Sequence, residues 1–342
     1  MNRVVGFFCV LLAAVPFSTI ALGESYDREV GSDKPLAWWR FQESDCADGS
    51  AVKDEIAGHA GLYKGSVSLE AGPTGVGGRA AAFEGKGLVE IAHHKDFDLN
   101  ELSVEFWFKS TQAWTSPYWP GSATLVAKST VGNASSDWTI LGGSARAGGR
   151  QGCVLAGSGP VGGRDEPTES PGKLNDGAWH HVVWTRSARG ECRLYVDGGL
   201  TAALQDGGGS IANSNPFRVG GDRVEPGAKF LVGSIAELAV YGRVLDAPRV
   251  AAHATAGGLT PKTWPANIAS YAGSQPPAST SGPQATAGWV KHAGNPVLGG
   301  ELGTCFDVAV LREGQQWRMW LSWRPRKAIA LSESADGATW SK

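Results

Sequence analysis

The chain has 342 residues, 42% hydrophobic and 19% charged, with a net charge of -2. That composition supports a buried core and excludes a chain disordered throughout, and the near-neutral balance gives no electrostatic footprint for nucleic acid or an anionic membrane. With 48 Gly and 14 Trp against two Met, short strands and tight turns are expected rather than helices.

Residues 1–23 have the layout of a signal peptide. Arg3 supplies a positive start, Val4 to Leu22 is apolar apart from a few small residues, and Ala21 and Gly23 offer small side chains at a cleavage point. Pro16, Ser18 and Thr19 make the same stretch weak as a membrane span. The expected product is exported, extracellular or periplasmic, and off the membrane once cleaved.

Strands then follow in quick succession. Asp33 to Phe41 reads as the first, Asp54 to Gly65 as a turn-rich return, and Ala80 to Ile91 as a strand, a Gly turn and a strand. In LSVEFWFK, Leu102, Val104, Phe106 and Phe108 share one face, while Ser103, Glu105, Trp107 and Lys109 share the other. Further strands are expected at Thr124 to Lys128, Trp138 to Leu141, Gly152 to Ala156, Phe217 to Gly220 and Leu231 to Tyr241. Between them, NDGAWHHVVWTRSARGECRLYVDG (175–198) reads as two alternating strands joined by a turn. Leu245 to Gly257 is the one expected helix, with Asp246 as its cap and Pro248 in its first turn. So many short strands at this spacing mean an all-β sandwich.

DGAWHHVVWTR followed by LYVDG resembles the central hairpin of laminin-G-like, concanavalin A-like jelly rolls. The likeness extends in order through WRF, DEIAGHAGLY, RAAAFEGKGLVEI, LSVEFWF and GSIAELAVYGRVL, covering almost all of Leu36 to Gly257 and implying a domain at 33–257. It implies a jelly-roll sandwich that binds a polysaccharide or other glycan, or alternatively a non-enzymatic adhesion module that contacts another protein. It also implies calcium, with Asp54 and Glu237 in segments where such domains supply ligands. The usual Ile-Asp-Glu is, however, Ile235-Ala236-Glu237 here. A glucanase is disfavoured, because no E-x-D-x-x-E set of strand carboxylates is present.

Residues 258–288 are rich in Pro, Ser, Thr, Ala and Gly and read as a linker. In 289–342, NPVL, FDVAV, WRMWLSW and IALSESADGATW resemble the opening of five-bladed propeller glycoside hydrolases of the family 43 and family 32 group. The expectation is an incomplete propeller blade, the start of a truncated or longer enzyme. In the resembled hydrolases a carboxylate at the position of Asp307 is catalytic. Hydrolysis also needs a second carboxylate roughly 5–10 Å away, and in those enzymes it comes from a later blade. This chain is therefore expected to be inactive as it stands; the bland reading of Asp307 is an Asp ending a loop.

Three rings in QAWTSPYWPG, Trp114, Tyr118 and Trp119, either stack on sugar faces or cover one end of the core. His180 and His181 are neighbours on a strand and point to opposite faces, so they read as packing residues and not as a metal pair. Asn133-Ala134-Ser135 is a glycosylation sequon, and Gly72 to Gly78 lacks the setting of a nucleotide loop. Cys46, Cys153, Cys192 and Cys305 follow the signal and allow three pairings. In a simple meander, the strands of Cys153 and Cys192 flank that of His180, which sets the sulfurs roughly 9–10 Å apart. That is beyond disulfide reach, so buried thiols are expected for both. None of the cysteine spacings resembles a zinc site.

Overall fold

The computed structural model describes residues 22–114, 122–129, 136–143, 152–161, 166–170, 172–222, 230–264, 305–314, 316–323, 326–337 and 339–341. The chain divides into two units, between Gly273 and Ser274. In the first, helix α1 (Leu22–Ser32) precedes β1 (Ala37–Trp39), β2 (Ala51–Val52), β3 (Gly61–Ala71), β4 (Arg79–Ile91), β5 (Leu102–Ser110) and β6 (Ala123–Lys128). Then come β7 (Trp138–Gly143), β8 (Cys153–Ser158), β9 (Glu166–Glu169), β10 (His180–Arg186), β11 (Glu191–Val196), β12 (Gly199–Gln205), β13 (Phe217–Val219), β14 (Val232–Tyr241) and α2 (Ala247–Ala256).

The strands pair antiparallel in the order β12-β11-β10-β5-β14-β4-β13-β6-β7-β8-β9, with β3 also on β4 and β1 on β14. This is an all-β jelly roll. The sheet folds over itself at β4, whose residues 81–84 pair with β14 and whose residues 89–91 pair with β13. The sequence suggests two strands and a Gly turn here, but the structure has one bent strand. The bend falls at Gly85–Gly87, beside a register shift in β3 between Gly65 and Val67. A Cβ at Gly87 would lie 2.2 Å from the Ser66 carbonyl oxygen, so only glycine permits the corner.

The main core lies between the two layers. Leu102, Val104, Phe106 and Phe108 of β5, with Val182 and Trp184 of β10, face Trp138, Ile140, Val154 and Ala156 of β7 and β8. Trp138 and Trp184 stack across it with ring centroids 6.1 Å apart. The opposite face of β5, β10 and β14 is buried as well. Trp107, Val183, Tyr195, Ala236, Ala239 and Tyr241 pack against Tyr26 and Val30 of α1 and Val250 of α2.

Helix α1 was not expected. Tyr26 and Val30, one turn apart, are both fully buried. The helix stops before Pro35, and Lys34 takes a left-handed φ of +51°. Helix α2 agrees with its sequence signals: Asp246 accepts the Arg249 amide at 3.0 Å and Pro248 sits in the first turn. Beyond it the backbone stays on the sandwich. The Lys262 amide donates to the Asp197 carbonyl and the Trp264 indole to that of Val196.

The second unit contains an antiparallel meander of β15 (Cys305–Glu313), β16 (Gln316–Trp323) and β17 (Ala328–Ser334). Among its described residues Met319 and Leu321 are the buried apolar side chains, whereas Val310, Leu311, Ile329 and Leu331 are exposed.

Candidate functional site

The loop after β5 carries the expected sugar-stacking rings. Gln112 organises its described part: the side-chain oxygen accepts from the Trp114 indole at 3.1 Å and the Val232 amide at 2.9 Å, and its amide nitrogen donates to the Phe230 carbonyl. Trp114 is only 3% exposed. Its ring stacks on Phe108 and presses so close to Gly142 that a Cβ there would lie 2.3 Å away. Trp114 therefore closes one end of the core and presents no face to a sugar. Tyr118 and Trp119 lie outside the described residues, as does the Asn133 sequon.

Asp54 and Glu237 are not brought together as a calcium site. Both oxygens of Asp54 are taken by N–H donors: the amides of Trp38, Ile56, Ala57 and His59 at 2.8–3.1 Å, with the His59 ring at 3.1 Å. Burial opposes its ionisation, but these bonds outweigh that and hold the carboxyl below its usual range. Glu237 sits at a bulge in β14 with a left-handed φ of +52°, and the bulge turns its carboxylate onto Arg40 Nε at 3.0–3.1 Å. Burial pushes the Glu237 carboxyl up to about 8 against the pull of Arg40. Calcium needs six to eight free oxygen donors. One of these carboxylates faces N–H groups and the other a guanidinium, so this pair does not fit the ion.

Asp307 falls at a bulge in β15, between Phe306, which pairs with Ser322, and Ala309, which pairs with Trp320. Its side chain lies outside the described residues.

The two histidines, read from the sequence as packing residues, are buried in carboxylate networks instead. His180 and His181 point to opposite faces and join different carboxylates. His180 lies between Asp197 at 3.0 Å and Asp176 at 3.2 Å, and Lys262 closes on Asp197 at 2.6 Å. His181 reaches Glu105 at 2.9 Å. Glu105 also accepts from the Tyr26 hydroxyl at 3.0 Å and the Tyr241 hydroxyl at 2.7 Å, and His253 Nδ1 stands 2.9 Å away. Burial alone would raise the Glu105 pKa, but His253, His181 and their hydrogen bonds bring it well below the usual range. The signal for this cluster was one charged residue inside LSVEFWF. Glu105, His181 and His253 are all fully buried, so the cluster ties helices to sheet and offers no substrate a way in.

The strand of Cys153 does not flank β10 as a simple meander would have it. Strand β10 is flanked by β11 and β5, whereas β8 lies between β7 and β9. The expected outcome nonetheless holds: Cys153 and Cys192 are buried and neither forms a disulfide. Cys192 Sγ instead lies 3.8 Å from Ser158 Oγ.

Residues 83–251 match the model of the concanavalin A-like lectin/glucanases superfamily. No match was found among curated proteins. Among solved structures, the chain is similar to domain 4 of AbnA, a GH43 extracellular arabinanase from Geobacillus stearothermophilus, in complex with arabinotriose. Identity is 19% and the TM-score 0.48, over 65% of this chain and 98% of that one. It is also similar to the binding domain of Paraclostridial mosquitocidal protein 1, at 13% identity and a TM-score of 0.47, over 64% of this chain and 51% of that one. A third is the binding domain of botulinum neurotoxin DC in complex with rat synaptotagmin II, at 13% identity and a TM-score of 0.49, over 66% and 52%. The chain spans about half the length of these two toxin structures.

Proposed function

We propose that this protein is exported, on the signal-like layout of residues 1–23, and that its jelly roll, whose residues 83–251 match the concanavalin A-like lectin/glucanase model, recognises a glycan. The match to a lectin/glucanase family is the observation that carries this reading. The architecture narrows where recognition takes place. Helices α1 and α2 cover the outer face of β5, β10 and β14 and remove it as a recognition surface; loops at an end of the rigid sandwich are the place proposed for recognition. Tyr118 and Trp119 are the rings proposed to stack on sugar, with Trp114 as the buried base of their loop.

The proposed activity is binding. Glycoside hydrolysis requires two carboxylates across one bond, and Asp307 is the one that the sequence resemblance of the C-terminal strands points to. Their link to a propeller glycosidase rests on the sequence resemblance around that residue.

Retention of the purified chain on a panel of insoluble polysaccharides and a glycan array tests the proposal. Retention that is lost in a Tyr118→Ala, Trp119→Ala double variant supports it. Failure to bind any glycan, alongside saturable capture of a protein ligand that the double variant leaves unchanged, would replace it with the adhesion reading.

A further inference from the structure

Two turns meet near the buried ring of Phe97. Residues 53–60 join β2 to β3, and residues 92–101 join β4 to β5. His59 comes from the first turn, and His94 and Asp96 from the second. One ligand atom from each lies within 4.8 Å of the others, the one such histidine–carboxylate group among the described residues. His59 Nε2 is 3.2 Å from Asp96 Oδ2, and His94 Nδ1 is 3.3 Å from the same oxygen. Ligand atoms around a tetrahedral ion bound at about 2.0–2.1 Å stand about 3.3–3.4 Å apart. The two imidazoles meet edge to face, and the His59 ring packs on Phe97 with centroids 4.8 Å apart.

His59 is held from behind. Its Nδ1 lies 3.1 Å from Asp54 Oδ2, and the backbone amides described above fix that carboxylate in place. Nδ1 is thus placed to donate to Asp54, the arrangement that leaves Nε2 free to ligate on the side of Asp96. A lone pair facing a carboxylate oxygen at 3.2 Å calls for a positive charge between them. A proton on Nε2 is one answer and a metal ion is the other. The proton needs only His59 and Asp96, whereas the ion also uses His94, which sits within reach of the same oxygen. The cost is the 3.3 Å bond that His94 Nδ1 accepts from the Asp96 amide.

The geometry points to a site for a zinc-class divalent ion bound by His59, His94 and Asp96, with Asp54 orienting His59. Two imidazoles and one carboxylate suit Zn²⁺ and leave a fourth position for water on the side where His94 is exposed. Such an ion would fasten the turn after β2 to the turn after β4. Cysteine spacing gave no hint of it, because no cysteine takes part.

The test uses the full chain without a histidine tag, stripped by chelator. Zn²⁺ is titrated by calorimetry and followed by thermal unfolding, and Co²⁺ by visible absorption. The expected result is one equivalent of Zn²⁺, a higher Tm, and Co²⁺ d–d bands without thiolate charge transfer. His94→Ala and Asp96→Asn change side chains that are exposed or half-buried and should fold; each should weaken Zn²⁺ binding at least about 10-fold, the lower end seen for disturbed metal sites. Absence of Zn²⁺ binding would mean that a proton bridges His59 and Asp96, and would overturn the proposal. Thiolate bands, or full affinity in His94→Ala, would overturn it equally.

Discussion

His253 Nδ1 on α2 lies 2.9 Å from Glu105 Oε2 in the middle of β5, with both side chains fully buried. The other imidazole nitrogen reaches Asp33 Oδ2 at 2.8 Å, just past the end of α1. Arg249 ties that same Asp33 oxygen, and Glu29 of α1, to α2. One charged chain thus runs from the centre of the sheet to the surface, and both helices hang from it. A buried carboxylate is tolerable only with its hydrogen bonds satisfied, and Glu105 has two hydroxyl donors and two imidazoles around it.

Glu105→Gln tests how much this network stabilises. The amide nitrogen would meet hydroxyls or imidazoles that already donate, and the histidines would lose their counter-charge. Breaking a buried pair in this way costs about 3–5 kcal/mol. Urea unfolding should show that loss, and hydrogen exchange should show α1 released first. Tyr26→Phe removes one hydrogen bond to a charged acceptor and should cost less, about 1.5–3 kcal/mol. Equal stability of Glu105→Gln and the parent would contradict this account.

The network also predicts a pH dependence. Burial draws the His253 pKa down, but the charge and hydrogen bonds of Glu105 and Asp33 outweigh it, so the value stands above the ordinary 6.5. Arg249, Tyr26 and Tyr241 also face this ring. A raised histidine pKa contributes stability that is complete below 6.5 and lost as pH climbs through the folded-state value. Glu105 has the opposite sign: its contribution is present above the ordinary 4.5 and lost as pH falls through its depressed value. The stability gap between the parent and His253→Gln should therefore be widest between pH 4.5 and 6.5. On the alkaline side it should narrow by up to about 1.4 kcal/mol per pH unit. A gap that widens above neutral pH would show that His253 is neutral in the folded state.

Period-two alternation over 102–109 sorts the two faces of β5 correctly, because Leu102, Val104, Phe106 and Phe108 all enter the main core. It says nothing about what covers the other face, and so does not predict α1. Among its described side chains the helix buries Tyr26 and Val30 amid Asp27, Arg28 and Glu29, too narrow a stripe to stand out beside a signal-like segment. Trp114 illustrates the same limit: a ring in a loop looks exposed until Phe108 and Gly142 are seen beneath it. The His59–Asp96 contact joins positions 37 apart in sequence through separate turns, so no local spacing carries it.

The thiols should react unequally. Cys46 is partly exposed, while Cys153 and Cys192 are buried. Burial, with the Asp206 carboxylate adding to it, pushes the Cys192 thiol far above its usual range. Brief alkylation of the native protein followed by peptide mapping should label Cys46 and spare Cys153 and Cys192, and all should react in denaturant. Rapid native labelling of Cys192 would mean that its environment between β8 and β11 opens readily.

Trp114→Ala separates packing from recognition. The indole is buried against Phe108, and its N–H is satisfied by Gln112, so the substitution leaves a cavity and should cost about 3–5 kcal/mol. Gly142→Ala attacks the same contact from the other side, since the new methyl would overlap the indole. Misfit of this kind costs about 1–3 kcal/mol. Both variants should therefore lose stability, whatever their effect on glycan retention. Trp119→Ala, if that ring contacts sugar, should lose retention with stability nearly unchanged. Calorimetry and polysaccharide retention on all three variants read the two effects apart. A Trp114→Ala protein as stable as the parent but unable to bind glycan would move that ring out of the core and into the binding face.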